Sequence, residues 1–142
     1  LEDLSGGVQV AADAQLFPFW SGVITDKNRF NGVQRVIAEE KLDKPFPLRY
    51  TRILVPGRTW YGLLAPNYEG TSLWTHLGLL YVQLLQRFNN EAFVHARNSW
   101  KKVIERDQNV LEVFEPRGKQ YNSWLYAADE GMIWAAIAQE FV

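Results

Sequence analysis

Hydrophobic positions recur at helical spacing in four stretches of the chain. The clearest runs from Ser72 to Phe88, where Leu73, Leu77, Leu80, Leu84 and Phe88 share one line and Trp74, Tyr81 and Leu85 share another. An apolar surface this wide predicts a helix buried on more than one side, with Thr71 or Ser72 as its cap. A second helix is expected over 91–106, with Phe93, Ala96, Trp100, Val103 and Ile104 facing inward. Only Asn89 and Asn90 separate the two, so they should form an antiparallel hairpin. Residues 26–40 carry a narrower stripe (Phe30, Val33, Val36, Ile37), with Thr25 or Asp26 placed to accept the orphan backbone N–H groups at the helix start. A fourth helix is expected over 128–141, with Met132, Ile133, Ala136 and Ile137 inward and Asp129 and Glu130 in its first turn.

Between these elements the pattern changes. Residues 1–16 have no helical period, and Pro18 inside Phe17-Pro18-Phe19-Trp20 argues against a helix there. Residues 41–72 contain four prolines and three glycines and form a long connection, in which Leu48 to Val55 has strand character. Val110 to Phe114 is expected to be extended, and Pro116 to Gly118 turns the chain. The prediction is an all-α protein whose long loops carry the aromatic and polar residues.

Composition narrows the function classes. The chain has 142 residues, 47% of them hydrophobic, which suits one folded segment with a real core. The net charge of −1 and the lack of a basic block argue against nucleic acid as a partner. No apolar run is long enough for a membrane span. No signal peptide is visible, so a cytoplasmic location is the expectation. Cysteine is absent, the two histidines (His76, His95) lack zinc-ligand spacing, and no phosphate loop or nucleophile elbow occurs. Neither a metal nor a cofactor is expected.

The stretch richest in candidate chemistry is Asn109 to Trp134. It places Glu112, Phe114, Glu115 and Pro116 in a loop before an aromatic run and a helix start. Such a loop can hold a carboxylate at the rim of a site. Glu112 is favoured over Glu115, which also reads as a solvated turn residue or a partner of Arg117. Trp20, Trp60, Trp74 and Trp124 are candidate sugar platforms, each with core packing as the alternative, and Trp60 and Trp124 are favoured by their loop positions. Arg52 and Arg58 can hydrogen-bond sugar hydroxyls or orient a carboxylate. Tyr68 lies in the Asn67-Tyr68-Glu69-Gly70 loop, whose Asn and Gly turn chemistry alone would explain. Glu130 and Asp129 can bind substrate hydroxyls, or simply complement a helix start. His76 follows the Trp74 helix start and can line a pocket, with a satisfied core histidine as the favoured reading.

Three segments carry a resemblance: Asp13 to Val23 (DAQLFPFWSGV), Asn67 to Leu80 (NYEGTSLWTHLGLL) and Glu112 to Trp134. They resemble the C-terminal half of six-hairpin glycoside hydrolases of the amylo-α-1,6-glucosidase and glycogen-debranching-like type, with trehalases and processing α-glucosidase I as more distant relatives. The resemblance implies part of an (α/α)6 toroid whose loops form a sugar pocket. Glu112-Val113-Phe114-Glu115-Pro116 resembles the family's Glu-x-Tyr-Asp motif, whose first Glu is the catalytic base, so that role falls on Glu112. Glu130-Gly131-Met132-Ile133-Trp134 resembles the Gly-aromatic-x-Trp helix start downstream. Phe114 stands where trehalases have Tyr, and their Gly-rich insertion is missing, which argues against trehalose as substrate.

The function implied is inverting hydrolysis of α-glucosidic bonds. Substrate contacts are expected from Trp20, Arg52, Trp60, Tyr68, Trp74, Trp124 and Glu130. The family's general acid, an Asp on an earlier hairpin, would lie upstream of Leu1, so the segment alone is expected to be inactive. Its partners would be an α-glucoside or oligosaccharide and either the rest of the catalytic domain or another copy of itself. The alternatives are a sugar epimerase or lyase on the same fold, and a non-catalytic helical carbohydrate-binding or interaction module.

Overall fold

The computed structural model describes residues 10–53, 65–68, 70–129 and 131–141. Within them the chain is mostly helical. Helices α1 (Ala12–Trp20) and α2 (Lys27–Glu39) come first. Strand β1 (Leu73–Trp74) leads directly into α3 (Thr75–Phe88), and Asn89 joins α3 to α4 (Asn90–Asp107). Strand β2 (Val113–Phe114) and α5 (Met132–Gln139) complete the order. The strands pair antiparallel, with Leu73 opposite Phe114 and Trp74 opposite Val113.

Helix α3 is the centre of the molecule. It packs against α1, α4 and α5, and the wide apolar surface read from the sequence is what allows this. Leu77, Leu79, Val82, Leu84 and Leu85 are all buried, so most of the surface of its middle turns is covered. The α3–α4 hairpin is antiparallel as expected. A Cβ built on Gly78, ten residues before the end of α3, would stand 3.3 Å from Trp100 Cζ2, ten residues into α4. The same Cβ would overlap Pro47 Cβ at 2.5 Å. Gly78 is thus the point where the proline-rich connection crosses the central helix at backbone distance.

Helix α2 begins where the sequence indicates. Asp26 accepts the Arg29 N–H at 2.7 Å and satisfies one of the orphan donors of the first turn. Phe30 and Ile37 are buried from its stripe, and Phe30 stacks on Phe88 at 4.8 Å between ring centroids.

Several expectations change, among them the inward side of the last helix, where Ile133 is 74% exposed and Ala136 faces solvent. Residues 12–16 are helical, and α1 continues through Pro18. The proline sits in the last turn, where it removes one backbone hydrogen bond, while burial of Leu16 and Phe19 against the core holds the turn. The central helix starts at Thr75 rather than Ser72, because Leu73 and Trp74 are drawn into a strand by β2. Neither Thr71 nor Ser72 caps it; the Ser72 hydroxyl donates to the Asn67 carbonyl at 2.8 Å and closes the preceding loop. Helix α5 starts at Met132, four residues later than expected, because the Asp129 carbonyl accepts from Glu112 and the Gly131 N–H donates to Val110. Strand character in the 48–53 region is limited to single bridges, Arg49 with Leu73 and Thr51 with Ala11. No described helix is long and apolar enough to cross a membrane.

Candidate functional site

Glu112 sits where three segments of backbone meet. Its N–H donates to the Asp129 carbonyl at 3.0 Å, and its C=O accepts from Thr75 at 3.1 Å. On one side lies the β1–α3 junction, on the other the approach to α5. The Thr75 hydroxyl adds a bond to the Leu111 carbonyl from a fully buried position. With both peptide groups of Glu112 fixed, its Cα cannot drift, as a positioned carboxylate requires.

The carboxylate is half-buried. Oε2 accepts the phenolic hydroxyl of Tyr126, and Oε1 accepts no hydrogen bond among the described residues. Tyr126 closes a short loop in which Ser123 N–H donates to the Tyr126 carbonyl at 2.7 Å and the Tyr126 N–H donates to Ser123 Oγ at 3.2 Å. Desolvation by burial, then the bond to Glu112, raises the Tyr126 pKa well above the ordinary phenol value. The phenol therefore keeps its proton as donor.

Aromatic rings surround this pair. Tyr68 stands edge-on to Trp74 at 4.8 Å, and to Tyr121 and Tyr126 at 5.5 Å each. Tyr121 is fixed by its hydroxyl, which donates to the Pro66 carbonyl at 2.8 Å. Asn67 adopts a left-handed backbone (φ 65°), and this turn aims Tyr68 back at Trp74. The indole N–H of Trp74 is buried and has no acceptor among the described residues.

His76, in the first turn of α3, lies with its ring 5.2 Å from Trp74 and 5.2 Å from Trp134. Trp134 reaches it because Gly131 has no side chain: a Cβ there would stand 2.8 Å from Trp134 Cδ1 and 3.6 Å from the Glu112 Cα. The Gly-x-x-Trp spacing is thus a packing device, with the glycine lying flat against the Glu112 backbone and the tryptophan one turn on covering His76. Burial lowers the His76 pKa below 6.5, opposed by the charges of Glu112 and Asp13. Asp13, on α1, accepts the Tyr50 hydroxyl at 3.1 Å. Each of the two carboxylates acting on His76 is therefore held by a tyrosine.

The lowered histidine pKa has a consequence for stability. Between that pKa and 6.5 the unfolded chain binds more protons at this residue than the folded one, so stability rises with pH across this window. Unfolding by urea should show a midpoint that falls on acidification from pH 7 through the window. In His76→Asn this component should be missing; an equal fall in the variant would mean that His76 titrates normally.

Of the sequence-derived site residues, Glu112, Tyr68 and Trp74 come together. Trp20 does not join them: it is 53% exposed, donates its indole N–H to Gln83 at 3.1 Å and leans on Phe17. Gln83 is seven residues along α3 from His76, about two turns away. Arg52 is exposed and pairs with Glu40 at 3.5 Å. Trp124 is 88% exposed at the tip of the loop whose next-but-one residue is Tyr126. Trp60, Arg58 and Glu130 lie outside the described residues. Glu115 heads the 115–119 turn, where its carbonyl accepts from Gly118 and its N–H donates to Lys119; it forms no ion pair with Arg117 among the described residues. Asp129 precedes α5 rather than occupying its first turn.

Sequence reasoning gave no role to Tyr126 or Asp13, named Trp134 only in a helix start, and for His76 favoured a satisfied core histidine over one lining a pocket. For Tyr126, the available signal was its place in an aromatic run shortly after an acidic loop. Among the described residues no group of three or more His, Cys, Asp or Glu is arranged to hold a metal.

Compared with family models, with curated proteins and with solved structures, the chain matches none.

Proposed function

We propose that this chain is part of a glycoside hydrolase of the (α/α)6 toroid type that cleaves α-glucosidic bonds with inversion, with Glu112 as the general base. The observation that carries the reading is the setting of Glu112: a half-buried carboxylate with its backbone pinned on both sides, one oxygen held by Tyr126, the other unengaged among the described residues, and Tyr68, Trp74 and Trp134 close by. A base that activates water needs one oxygen oriented and one open, and a pyranose presents apolar faces that suit aromatic walls. In this mechanism Glu112 takes a proton from a water on the face opposite the leaving group. A second carboxyl, roughly 6.5–9.5 Å away, protonates the glycosidic oxygen. That acid is supplied by another hairpin of the full-length protein.

The test is the product anomer. The full-length protein should release glucose from maltose or isomaltose, and proton NMR at early times should show β-glucose first. Release of α-glucose first would replace inversion by retention, and no release from any α-glucoside would end the reading.

A second reading is favoured by one observation. Tyr126 is hydrogen-bonded to Glu112 and His76 lies within reach of its charge, and proton abstraction next to a carbonyl commonly uses such groups. A sugar epimerase on the same fold would interconvert free sugars with uptake of solvent deuterium, which the hydrolase would not do.

A further inference from the structure

The imidazole of His76 is held without being used. Trp74 meets it edge to face and Trp134 lies tilted on it by 32°. Among the described residues its ring nitrogens form no hydrogen bond, and the residue is only half-buried. Nor are those nitrogens sealed off, since they are not among the buried side-chain atoms without a partner. Ring nitrogens that stay open to solvent in a half-buried histidine are accessible to a ligand hydroxyl. This ring is clamped by two indoles, set in the first turn of the central helix and within electrostatic reach of Glu112. Gly131 admits Trp134 to the clamp, and the same glycine lies against the Glu112 backbone, so ring and carboxylate are positioned by one piece of chain.

We propose that His76 is a substrate-binding residue of this site, whose imidazole hydrogen-bonds a hydroxyl of the sugar that Glu112 acts on. The inference rests on the hydrolase reading for the identity of the ligand as an α-glucoside. A neutral imidazole is both donor and acceptor, which matches a hydroxyl, itself both donor and acceptor. The lowered pKa favours that neutral form at pH 7. The Trp74 indole N–H, buried and without an acceptor among the described residues, belongs to the same wall.

The experiment uses the full-length protein with maltose as substrate and glucose as the binding probe. His76→Phe keeps a flat ring between the two indoles and removes both nitrogens. It should raise KM about tenfold, the size of one lost neutral hydrogen bond, with kcat changed less than threefold. His76→Asn, which restores a donor and an acceptor, should recover part of that loss; a purely packing role would give the opposite order. In the wild type, saturating glucose should shift the His76 ring resonances. An unchanged KM in His76→Phe, in a protein that Glu112→Gln inactivates, overturns the proposal and leaves the hydrolase reading standing. If Glu112→Gln retains turnover, Glu112 is not the base; if the wild type cleaves no α-glucoside, the hydrolase reading falls; in either case the His76 resonance decides alone: a shift on adding glucose supports the contact, and no shift at saturation overturns it. The same resonance decides if His76→Phe does not fold.

Discussion

Glu112→Gln in the full-length protein is expected to lower kcat on maltose by about 10²- to 10⁴-fold, the range for loss of a positioned general base. The fold should be unaffected. An amide oxygen still accepts the Tyr126 hydroxyl, and the bonds that fix residue 112 to Thr75 and Asp129 come from its backbone. What the substitution removes is the basicity of the carboxylate. KM should change little, since the side-chain amide has nearly the same shape. A melting temperature equal to that of the wild type would show that the loss is chemical. Turnover within threefold of wild type would remove Glu112 from the mechanism.

Gly78→Ala is expected to destabilise the protein by about 1–3 kcal/mol, the usual cost of overpacking a core. Helix propensity alone predicts the reverse sign, a gain approaching roughly 1 kcal/mol for replacing a helical glycine. The two effects compete, and distance decides between them. The new Cβ would stand 2.5 Å from Pro47 Cβ and 3.3 Å from Trp100 Cζ2. A proline ring cannot swing aside as a flexible side chain would, and Trp100 is fully buried with its ring edge-on to Phe46 at 5.0 Å. The added methyl can be admitted only by moving the 45–48 segment off α3. That segment leads to Arg49 and Tyr50, the latter bound to Asp13. Urea unfolding of the two proteins under identical conditions measures the sign, and a stabilised variant would mean that α3 and the proline-rich segment separate easily. Gly32, in α2, is the natural control: a Cβ there meets nothing within 4 Å, so alanine should follow propensity.

These two glycines show why a pattern in one dimension reads only part of this molecule. Both lie inside helices and look alike in sequence. The difference comes from Pro47, thirty-one positions before Gly78, and depends on where the connection crosses. Trp20 and Trp74 make the same point for the site. Both were candidate platforms on equal grounds, yet one faces solvent beside Gln83 and the other stands between Tyr68 and His76. Pro18 argues against a helix, yet α1 runs through it, because burial of Leu16 and Phe19 outweighs one missing backbone bond.

The sequence by itself determined the elements whose faces repeat at helical spacing: the central helix, its hairpin partner and α2 with its Asp26 cap. It also singled out Glu112 as the carboxylate to watch. These are local properties, fixed by side-chain periodicity and by hydrogen bonds a few residues long. Only the tertiary structure decided which groups stand next to that carboxylate. Tyr126 is fourteen residues from it, His76 thirty-six, and Asp13 acts on the same imidazole from the first helix. No periodicity links such positions. They meet because β1 pairs with β2 and because Gly131 lets Trp134 close over the central helix.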